Sequence, residues 1–363
     1  MNKNQSNKAA LRKNEGVSSQ ESTNKDGISN LKRKRQEQPS VEELLKGILK
    51  SNTAALSRGI TLIESQNLSH KSKANALIQN CLEHTKPSVR IGITGVPGVG
   101  KSTYIEALGT YLTNLGNKVA VLAVDPSSSL SKGSILGDKT RMDVLVRNPN
   151  AFIRPSAAGE SLGGVARHTR EAITLCEAAG YDVILIETVG VGQSETSVHS
   201  MVDFFLLLKL AGAGDEIQGI KRGIIEMADA IIINKADGNN KNAAKLAMLE
   251  FKRALHLYPA KASNWIPKVI MCSALKQIGI EESWTLIKDY LDLAKSKLYF
   301  TKKRQEQNMF WLIQSIENQL KDQFFKDSVI NKEMESQIEL INNNKRSPFA
   351  AAEYLLNLQK TQS

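Results

Sequence analysis

The sequence predicts an α/β protein built on a mostly parallel, doubly wound sheet, and three observations carry that prediction. Short apolar runs alternate with helical segments from residue 88 onward, which is typical of strands covered by helices on both faces. One run leads through a glycine-rich turn directly into a helical segment. Several runs end in acidic or amide side chains, where open α/β sheets bind ligands. The predicted strands are Val89–Thr94, Val119–Val124, Val183–Ile186, Phe204–Leu208, Ala230–Ile233 and Val269–Met271.

Helical segments flank this predicted sheet on both sides along the chain. Ser40 followed by Glu43 forms a capping box that opens the first of two expected helices before the sheet. After the sheet, an apolar stripe at helical spacing predicts an amphipathic helix. We expect its apolar face to belong to an intramolecular or a dimer core. The stripe consists of Met309, Ile313, Ile316, Leu320 and Phe324. Pro348 lies near the start of a final predicted helix. We divide the chain into residues 1–38 (polar tail), 39–87 (N-terminal helices), 88–282 (sheet domain) and 283–363 (C-terminal helical arm).

The composition is that of an ordinary globular protein. The 363 residues are 41% hydrophobic and 23% charged, which allows one large α/β domain with helical additions. No apolar run reaches the roughly 18 residues that a membrane span needs, so we expect neither a transmembrane helix nor a secretory signal. The three cysteines are Cys81, Cys176 and Cys272; their odd number and wide spacing favour a reducing compartment, and we expect a cytoplasmic protein.

Almost half of the formal net charge of +11 lies in the first 38 residues. Residues 1–38 hold nine Lys or Arg against four acids, including Lys32–Arg35. Such a polar tail lacks the apolar residues that would offset its ordering entropy, so we expect it to be disordered. Contact with an acidic partner, a membrane surface or nucleic acid is the alternative. Aromatic residues do not interleave with its Lys and Arg, so nucleic acid is not the expected partner.

A phosphate-binding loop directly follows the first predicted strand along the chain. Its glycines allow successive backbone N–H groups to face phosphate oxygens, Lys101 can reach the β- and γ-phosphates, and the Ser102 hydroxyl can ligate Mg²⁺. The expected nucleotide contacts are Gly95, Val96, Pro97, Gly98, Val99, Gly100, Lys101, Ser102 and Thr103. The chain is therefore predicted to bind a nucleoside triphosphate.

A second motif predicts which base is read. Asn234, Lys235 and Asp237 form an Asn-Lys-x-Asp tetrapeptide directly after a predicted strand. The Asp carboxylate can accept from the N1–H and the exocyclic amine of guanine together, and adenine offers no such paired donors. The later segment Ser273, Ala274 and Leu275 resembles the loop whose backbone N–H groups contact guanine O6 in G proteins. GTP and GDP are the predicted ligands.

Two further strand ends predict the magnesium and γ-phosphate side of the site. Asp125 directly follows one predicted strand and Glu187 directly follows the next, and hard oxygen ligands of this kind suit Mg²⁺. We expect the Asp125 and Glu187 carboxylates to bind Mg²⁺ either directly or through a water molecule. The Gly190 N–H can contact the γ-phosphate and switch its loop on hydrolysis. By residue type, Gln193 is the candidate for orienting the attacking water.

Taken together, these motifs closely resemble those of the MeaB/ArgK family of G-protein chaperones of adenosylcobalamin-dependent methylmalonyl-CoA mutase. The resemblance runs from about residue 41 to the C-terminal end. The motifs that carry it are Gly95–Thr103, Asp125–Ser128, Gly137–Met142, Arg154–Ser156, Glu187–Glu195 and Asn234–Asp237.

The resemblance implies a homodimeric GTPase whose C-terminal arm dimerises and whose partner is the mutase. Such proteins gate cobalamin delivery and protect the mutase. It also implies that Asp125 and Asp138 belong to a first switch beside Mg²⁺, and Glu187 to a second. An additional switch loop would contain Asp215 and Lys221 as polar contacts. Intrinsic turnover should be slow, with a partner completing the site.

Three alternative functions remain open. A metallochaperone GTPase that loads nickel needs clustered His and Cys ligands, and none of the five histidines forms a ligand-like pair along the sequence. A kinase would need an acceptor-binding lid and a base, and we identify neither. An RNA-associated G protein would have to use the basic tail.

Overall fold

Seven parallel strands form a single sheet in the part of the chain that the computed structural model describes, which is residues 39–124, 142–155, 162–188, 194–212, 222–259 and 261–362. They are β1 (Val89–Gly95), β2 (Val119–Val124), β3 (Ala151–Arg154), β4 (Val183–Thr188), β5 (Phe204–Leu210), β6 (Ala230–Asn234) and β7 (Lys268–Met271). Their spatial order is β3-β2-β4-β1-β5-β6-β7, and every neighbouring pair is parallel. The predicted fold class is confirmed.

Helices account for most of the remaining described residues. Before and within the sheet region they are α1 (Val41–Leu49), α2 (Thr53–Ile63), α3 (Leu68–Leu82), α4 (Lys101–Asn114), α5 (Asp143–Val146), α6 (Leu162–Ala178), α7 (Ser194–His199), α8 (Arg222–Met227) and α9 (Lys241–Leu255). After the last strand they are α10 (Ile280–Ser296), α11 (Tyr299–Lys326), α12 (Ser328–Asn342) and α13 (Pro348–Gln362).

Successive residues of each strand face two different cores. In β4, Ile184 and Ile186 pack with α6 to α9, whereas Val183 and Leu185 pack with α4, α5 and α10. Both faces are apolar because helices exclude water from both. The near-continuous apolar runs of the sequence follow from this double burial.

The N-terminal helices form an outer layer over α6. The predicted capping box is present: Ser40 Oγ accepts from the Glu43 N–H at 3.1 Å, and Glu43 Oε2 accepts from the Ser40 N–H at 2.9 Å. Buried apolar residues of α1 and α2 join the core that includes α6. The expectation of two helices here was short by one: α3 follows them, and its Ala74, Leu77 and Cys81 are buried in the same core at helical spacing.

Aspartates complete the hydrogen bonding where the strands begin. Each of three aspartates directly precedes a strand, and its carboxylate accepts from a backbone N–H at the start of a neighbouring strand. The pairs are Asp182 with the Lys118 N–H (2.7 Å), Asp203 with the Arg90 N–H (2.8 Å) and Asp229 with the Phe205 N–H (2.9 Å). These carboxylates satisfy donors that would otherwise be left unpaired at the edge of the ladder.

The C-terminal helices leave an apolar surface uncovered. The predicted stripe lies on α11, and Met309, Ile313, Ile316 and Leu320 are 48–61% exposed. The described part of the chain covers these four side chains only partly, so the choice between an intramolecular and a dimer core stays a prediction. The predicted division between residues 282 and 283 falls inside α10, whose apolar side packs on the sheet; the division itself stays a prediction.

Two smaller features complete the comparison with the sequence. Strand β3 was not predicted, because only four residues of the edge strand pair with β2. No helix among the described residues combines the length and the apolar character that crossing a bilayer requires.

Candidate functional site

The glycine-rich turn between β1 and α4 brings backbone N–H groups to the carboxyl edge of the sheet. Gly100 has φ +92°, and a Cβ at this position would lie 2.8 Å from Asn234 Nδ2. Glycine is therefore required there by both conformation and space. No side chain caps the N-terminus of α4, so its first N–H groups and the helix dipole suit an anion.

Lys101, Ser102 and Glu187 meet at this helix N-terminus. Lys101 is 8% exposed, and its Nζ donates to the Gly95 carbonyl at 2.8 Å. The Ser102 hydroxyl lies 3.4 Å from Glu187 Oε1, and the Glu187 side chain is buried at the end of β4. A hydroxyl and a carboxylate oxygen at this spacing are hard donors that fit Mg²⁺ beside phosphate oxygens. The start of α4 and the end of β4 thus supply one cationic group, Lys101, and two cation-binding groups, the Ser102 hydroxyl and the Glu187 carboxylate.

Asn234 joins the phosphate-binding turn to the loop after β7. Its Nδ2 donates to the Val99 carbonyl at 2.8 Å, and its Oδ1 accepts from the Ala274 N–H at 3.2 Å. The side chain is buried. With both ends of its amide engaged, Asn234 holds three separate segments of the sheet edge in one arrangement.

Asp237 and Ser273 are direct neighbours in the folded chain. The Ser273 hydroxyl donates to Asp237 Oδ2, and the Lys276 N–H donates to the Ser273 oxygen at 3.3 Å. Asp237 thus has one oxygen oriented by the protein while its carboxylate can still accept from a ligand. Lys235, the second residue of the motif, adopts φ +56°, and Leu275 is 76% exposed at the outer side of the loop.

Several predicted site residues lie outside the described part of the chain. The site residues the structure does place, from the phosphate-binding turn to Leu275, come from β1, α4, β4, β6 and the loop after β7. Those outside it are Asp125, Asp138, Gly190, Gln193, Asp215 and Lys221. The roles assigned to these six residues stay predictions.

Arg154 was quoted from the sequence as part of a motif without a role, and the structure supplies a contact for it. It ends β3 and its guanidinium pairs with Glu64 and lies 3.2 Å from the Thr61 hydroxyl, both on or beside α2. Burial raises the pKa of Glu64, while the Arg154 charge opposes that shift. Arg154 therefore attaches the N-terminal helices to the carboxyl edge of the sheet. No spacing in the sequence links residues this far apart, so only the fold reveals the pair.

A phosphate-binding turn at a helix N-terminus, with an Asn-Lys-x-Asp motif two strands away on the same edge, defines a P-loop GTPase. Comparison with known families is specific. The family model described as "Methylmalonyl Co-A mutase-associated GTPase MeaB" matches residues 56–329. The chain belongs to the MeaB family.

Relatives from bacteria and animals agree with this assignment. The chain is 44% identical over 319 residues to a "Probable GTPase" of Mycobacterium tuberculosis, covering 88% of this chain and 95% of that protein. It is 41% identical to "GTPase ArgK" of Escherichia coli (89% and 98%) and 43% identical to "Methylmalonic aciduria type A homolog, mitochondrial" of Mus musculus (90% and 81%). A crystal structure titled "LAO/AO transport system kinase" superposes with TM-score 0.71 at 36% identity, covering 88% of this chain and 97% of that one.

Proposed function

We propose that this protein is a GTP-binding and GTP-hydrolysing chaperone of an adenosylcobalamin-dependent acyl-CoA mutase, with methylmalonyl-CoA mutase as the first candidate. It would gate cofactor delivery and protect the mutase. The observation that carries the proposal is the match to the mutase-associated family over residues 56–329, in a chain that also keeps the nucleotide-site residues. A metallochaperone role has less support, because no three His, Cys, Asp or Glu side chains group as metal ligands in the described ranges.

Guanine recognition is assigned to the Asn234 and Ser273 loops. The Asp237 carboxylate would accept from guanine N1–H and N2–H, while O6 would accept from the Leu275 N–H and share the Ala274 N–H with Asn234 Oδ1. The Asn234 bridge between Val99 and Ala274 supports this, because it links the base-reading loop to the phosphate-binding turn. Base and phosphates would therefore be recognised by one connected set of residues.

On the phosphate side, the backbone N–H groups from Val96 to Thr103 would surround the phosphates. Lys101 would exchange its bond to the Gly95 carbonyl for a γ-phosphate oxygen. Ser102 and Glu187 would hold Mg²⁺, with Asp125 and Asp138 as further ligands. When bound, Mg²⁺ supplies positive charge to the β- and γ-phosphate oxygens.

Hydrolysis would depend mainly on positioning and charge neutralisation. Gln193 is the proposed water-orienting residue, and Gly190, Asp215 and Lys221 the proposed switch contacts. Because the assigned set contains no arginine to neutralise charge in the transition state, we expect slow turnover alone and faster turnover with the mutase.

The exposed stripe on α11 is the proposed homodimer surface, since four large apolar residues would leave water there. A cytoplasmic location is proposed because all three cysteines are buried and free.

Single-turnover hydrolysis of GTP with and without purified methylmalonyl-CoA mutase tests the proposal. We expect a slow rate alone, a faster rate with the mutase, and no such increase with an unrelated acyl-CoA enzyme. A fast rate that the mutase leaves unchanged, together with no co-elution of the two proteins, would overturn the chaperone role. A second arm compares the full chain with a variant that lacks residues 1–38. Mutase binding that survives the deletion supports the proposal. RNA binding that the deletion abolishes, with no mutase binding by either form, favours the RNA-associated function.

A further inference from the structure

The crevice between β1 and β4 is the point at which the sheet reverses its order. From β1 the chain proceeds to β2 on the far side of β4, whereas β5 lies on the other side of β1. Backbone pairing between β1 and β4 ends at Ile93 with Glu187. Beyond it, Thr188 pairs with Val124, and Thr94 pairs with Leu207 on the opposite side. The two strands therefore part here, at the kind of crevice where open α/β sheets bind ligands.

A side-chain hydrogen bond spans this crevice one residue past the last backbone pair. The Thr188 hydroxyl donates to the Thr94 hydroxyl oxygen at 2.9 Å, and the two residues are 0% and 1% exposed. Replacing either hydroxyl by a methyl group would leave the other buried hydroxyl without this partner. Within the described ranges, the bond is thus the last direct link between β1 and β4.

Both threonines are adjacent to residues of the nucleotide site. Thr94 directly precedes Gly95, the first residue of the phosphate-binding turn. Thr188 directly follows Glu187, whose Oε1 lies 3.4 Å from the Ser102 hydroxyl. Side chains alternate along a strand, so the threonine pair lies on the opposite sheet face from the Glu187 and Ser102 contact. A shift of the β4 end relative to β1 would change that contact directly.

We propose that Thr188, through its hydrogen bond to Thr94, is a positioning residue for GTP hydrolysis. It keeps the end of β4, and with it Glu187, at a fixed place relative to the phosphate-binding turn. This inference rests on the proposed role of Glu187 in holding Mg²⁺. Positioning errors of about 1 Å are sufficient to slow a reaction without abolishing ligand binding.

A purely structural role makes a different prediction. Thr and Val have nearly the same shape, so a Val–Val pair would fill the crevice without leaving a hydroxyl unpaired. Replacing both partners of a buried hydrogen bond can be nearly neutral for stability, whereas replacing one is not. The double variant therefore separates stability from positioning.

The experiment measures the steady-state kcat for GTP hydrolysis, the GTP dissociation constant and the midpoint of denaturant unfolding. The variants are T188V, T94V, T94V/T188V and T188S. We expect T188V to lower kcat about tenfold while the dissociation constant changes less than about threefold. T188S should stay within about threefold of the unmodified protein, because serine retains the hydroxyl. The double variant should recover the midpoint that each single variant loses, but not kcat.

Two controls make the result decisive. T169V removes another buried hydroxyl, which donates within α6 to the Val165 carbonyl, and should leave kcat unchanged. E187Q tests the proposed function itself: unchanged kcat in E187Q means that the role of Glu187 fails. If E187Q is impaired while T188V keeps normal kcat, or if T94V/T188V recovers kcat with its midpoint, only the positioning role of Thr188 is overturned.

Discussion

The carboxyl ends of the strands (the carboxyl edge of the sheet) and their amino ends (the amino edge) use charged residues in opposite ways. At the carboxyl edge, Lys101 is held by backbone carbonyls, and the contact between Ser102 and Glu187 is 3.4 Å long. At the amino edge, Arg90 makes a two-pronged bond to Glu177 at 2.8 and 3.0 Å, deep in the protein. The first arrangement leaves groups able to exchange protein contacts for a ligand, whereas the second already satisfies its charges. The same strands therefore carry binding at one end and stability at the other.

The amino edge also attaches the C-terminal arm. Arg304 of α11 pairs with both carboxylate oxygens of Asp203 at 2.8 and 2.7 Å, which raises the pKa of Arg304 despite the opposing effect of burial. Further donors spaced four residues apart on α11 reach backbone carbonyls of the segment before β5. They are Lys303 to Asp203 (2.8 Å), Gln307 to Val202 (2.8 Å) and Trp311 to Ser200 (3.1 Å). The base of the arm is thus part of the same network as the strand starts.

The largest expected effect comes from the carboxyl edge. Lys101→Met should lower kcat/KM for GTP by about 10³-fold, because it removes the cation placed for transition-state charge. Its free energy of unfolding should change by less than about 1 kcal/mol, which is the usual net contribution of a hydrogen bond such as that from Lys101 Nζ to the Gly95 carbonyl. Steady-state hydrolysis and denaturant unfolding check both numbers. Lys241→Met, at the exposed start of α9, is the control. A large loss of stability in Lys101→Met would contradict the division between the two edges.

Arg90→Met should show the converse behaviour at the amino edge. The substitution leaves the buried Glu177 carboxylate without its main cation, which should cost about 3 kcal/mol of unfolding free energy. The dissociation constant for GDP should stay within about threefold of the unmodified protein, because Arg90 is the second residue of β1 whereas Gly95 is its last. Denaturant unfolding and titration with a fluorescent GDP analogue test the pair of expectations. Lys326→Met, which breaks the exposed pair with Asp322, should change stability by less than about 0.5 kcal/mol.

Mild acid should weaken the amino edge through His199. Burial, together with the nearby charge of Lys303, lowers the pKa of His199 to about 4 from 6.5. The unfolded chain therefore binds the proton first. Stability is fully present above about pH 6.5 and falls by up to about 3 kcal/mol as the pH drops to about 4. His199→Gln should flatten this slope in unfolding experiments at several pH values, whereas His84→Gln, at an exposed position, should not. If the unfolding free energy of His199→Gln depended on pH as steeply as that of the unmodified protein, His199 would not be the group that destabilises the protein in acid.

The smallest effect distinguishes positions within the amino edge. The Asp182 carboxylate accepts from the Lys118 N–H in an exposed setting, so Asp182→Ala should cost about 1 kcal/mol. Asp229 is buried beside Lys261 and Lys303. Burial alone would raise its pKa, but these two lysines hold the pKa of Asp229 below its ordinary value. Asp229→Ala should therefore cost more than Asp182→Ala in the same unfolding assay, and equal costs would show that burial and pairing add nothing here.

Much of the described nucleotide site could be predicted because its residues are adjacent along the chain. Gly100, Lys101 and Ser102 belong to one turn, and Asn234 and Asp237 to another. A local motif is sufficient in such cases, since backbone geometry places its members. The bridge from Asn234 to Val99 and Ala274 was not predictable, because it depends on the order in which the strands pair.

The sequence by itself determined the parallel sheet, the guanine-nucleotide motifs and the family, because apolar periodicity and local spacing encode them directly. Only the tertiary structure decided that Thr94 meets Thr188, that Arg154 meets Glu64 and that Arg304 meets Asp203. These pairs are 90 to 101 residues apart along the chain. Such contacts follow from strand register and helix packing, which are properties of the whole core and of no single segment.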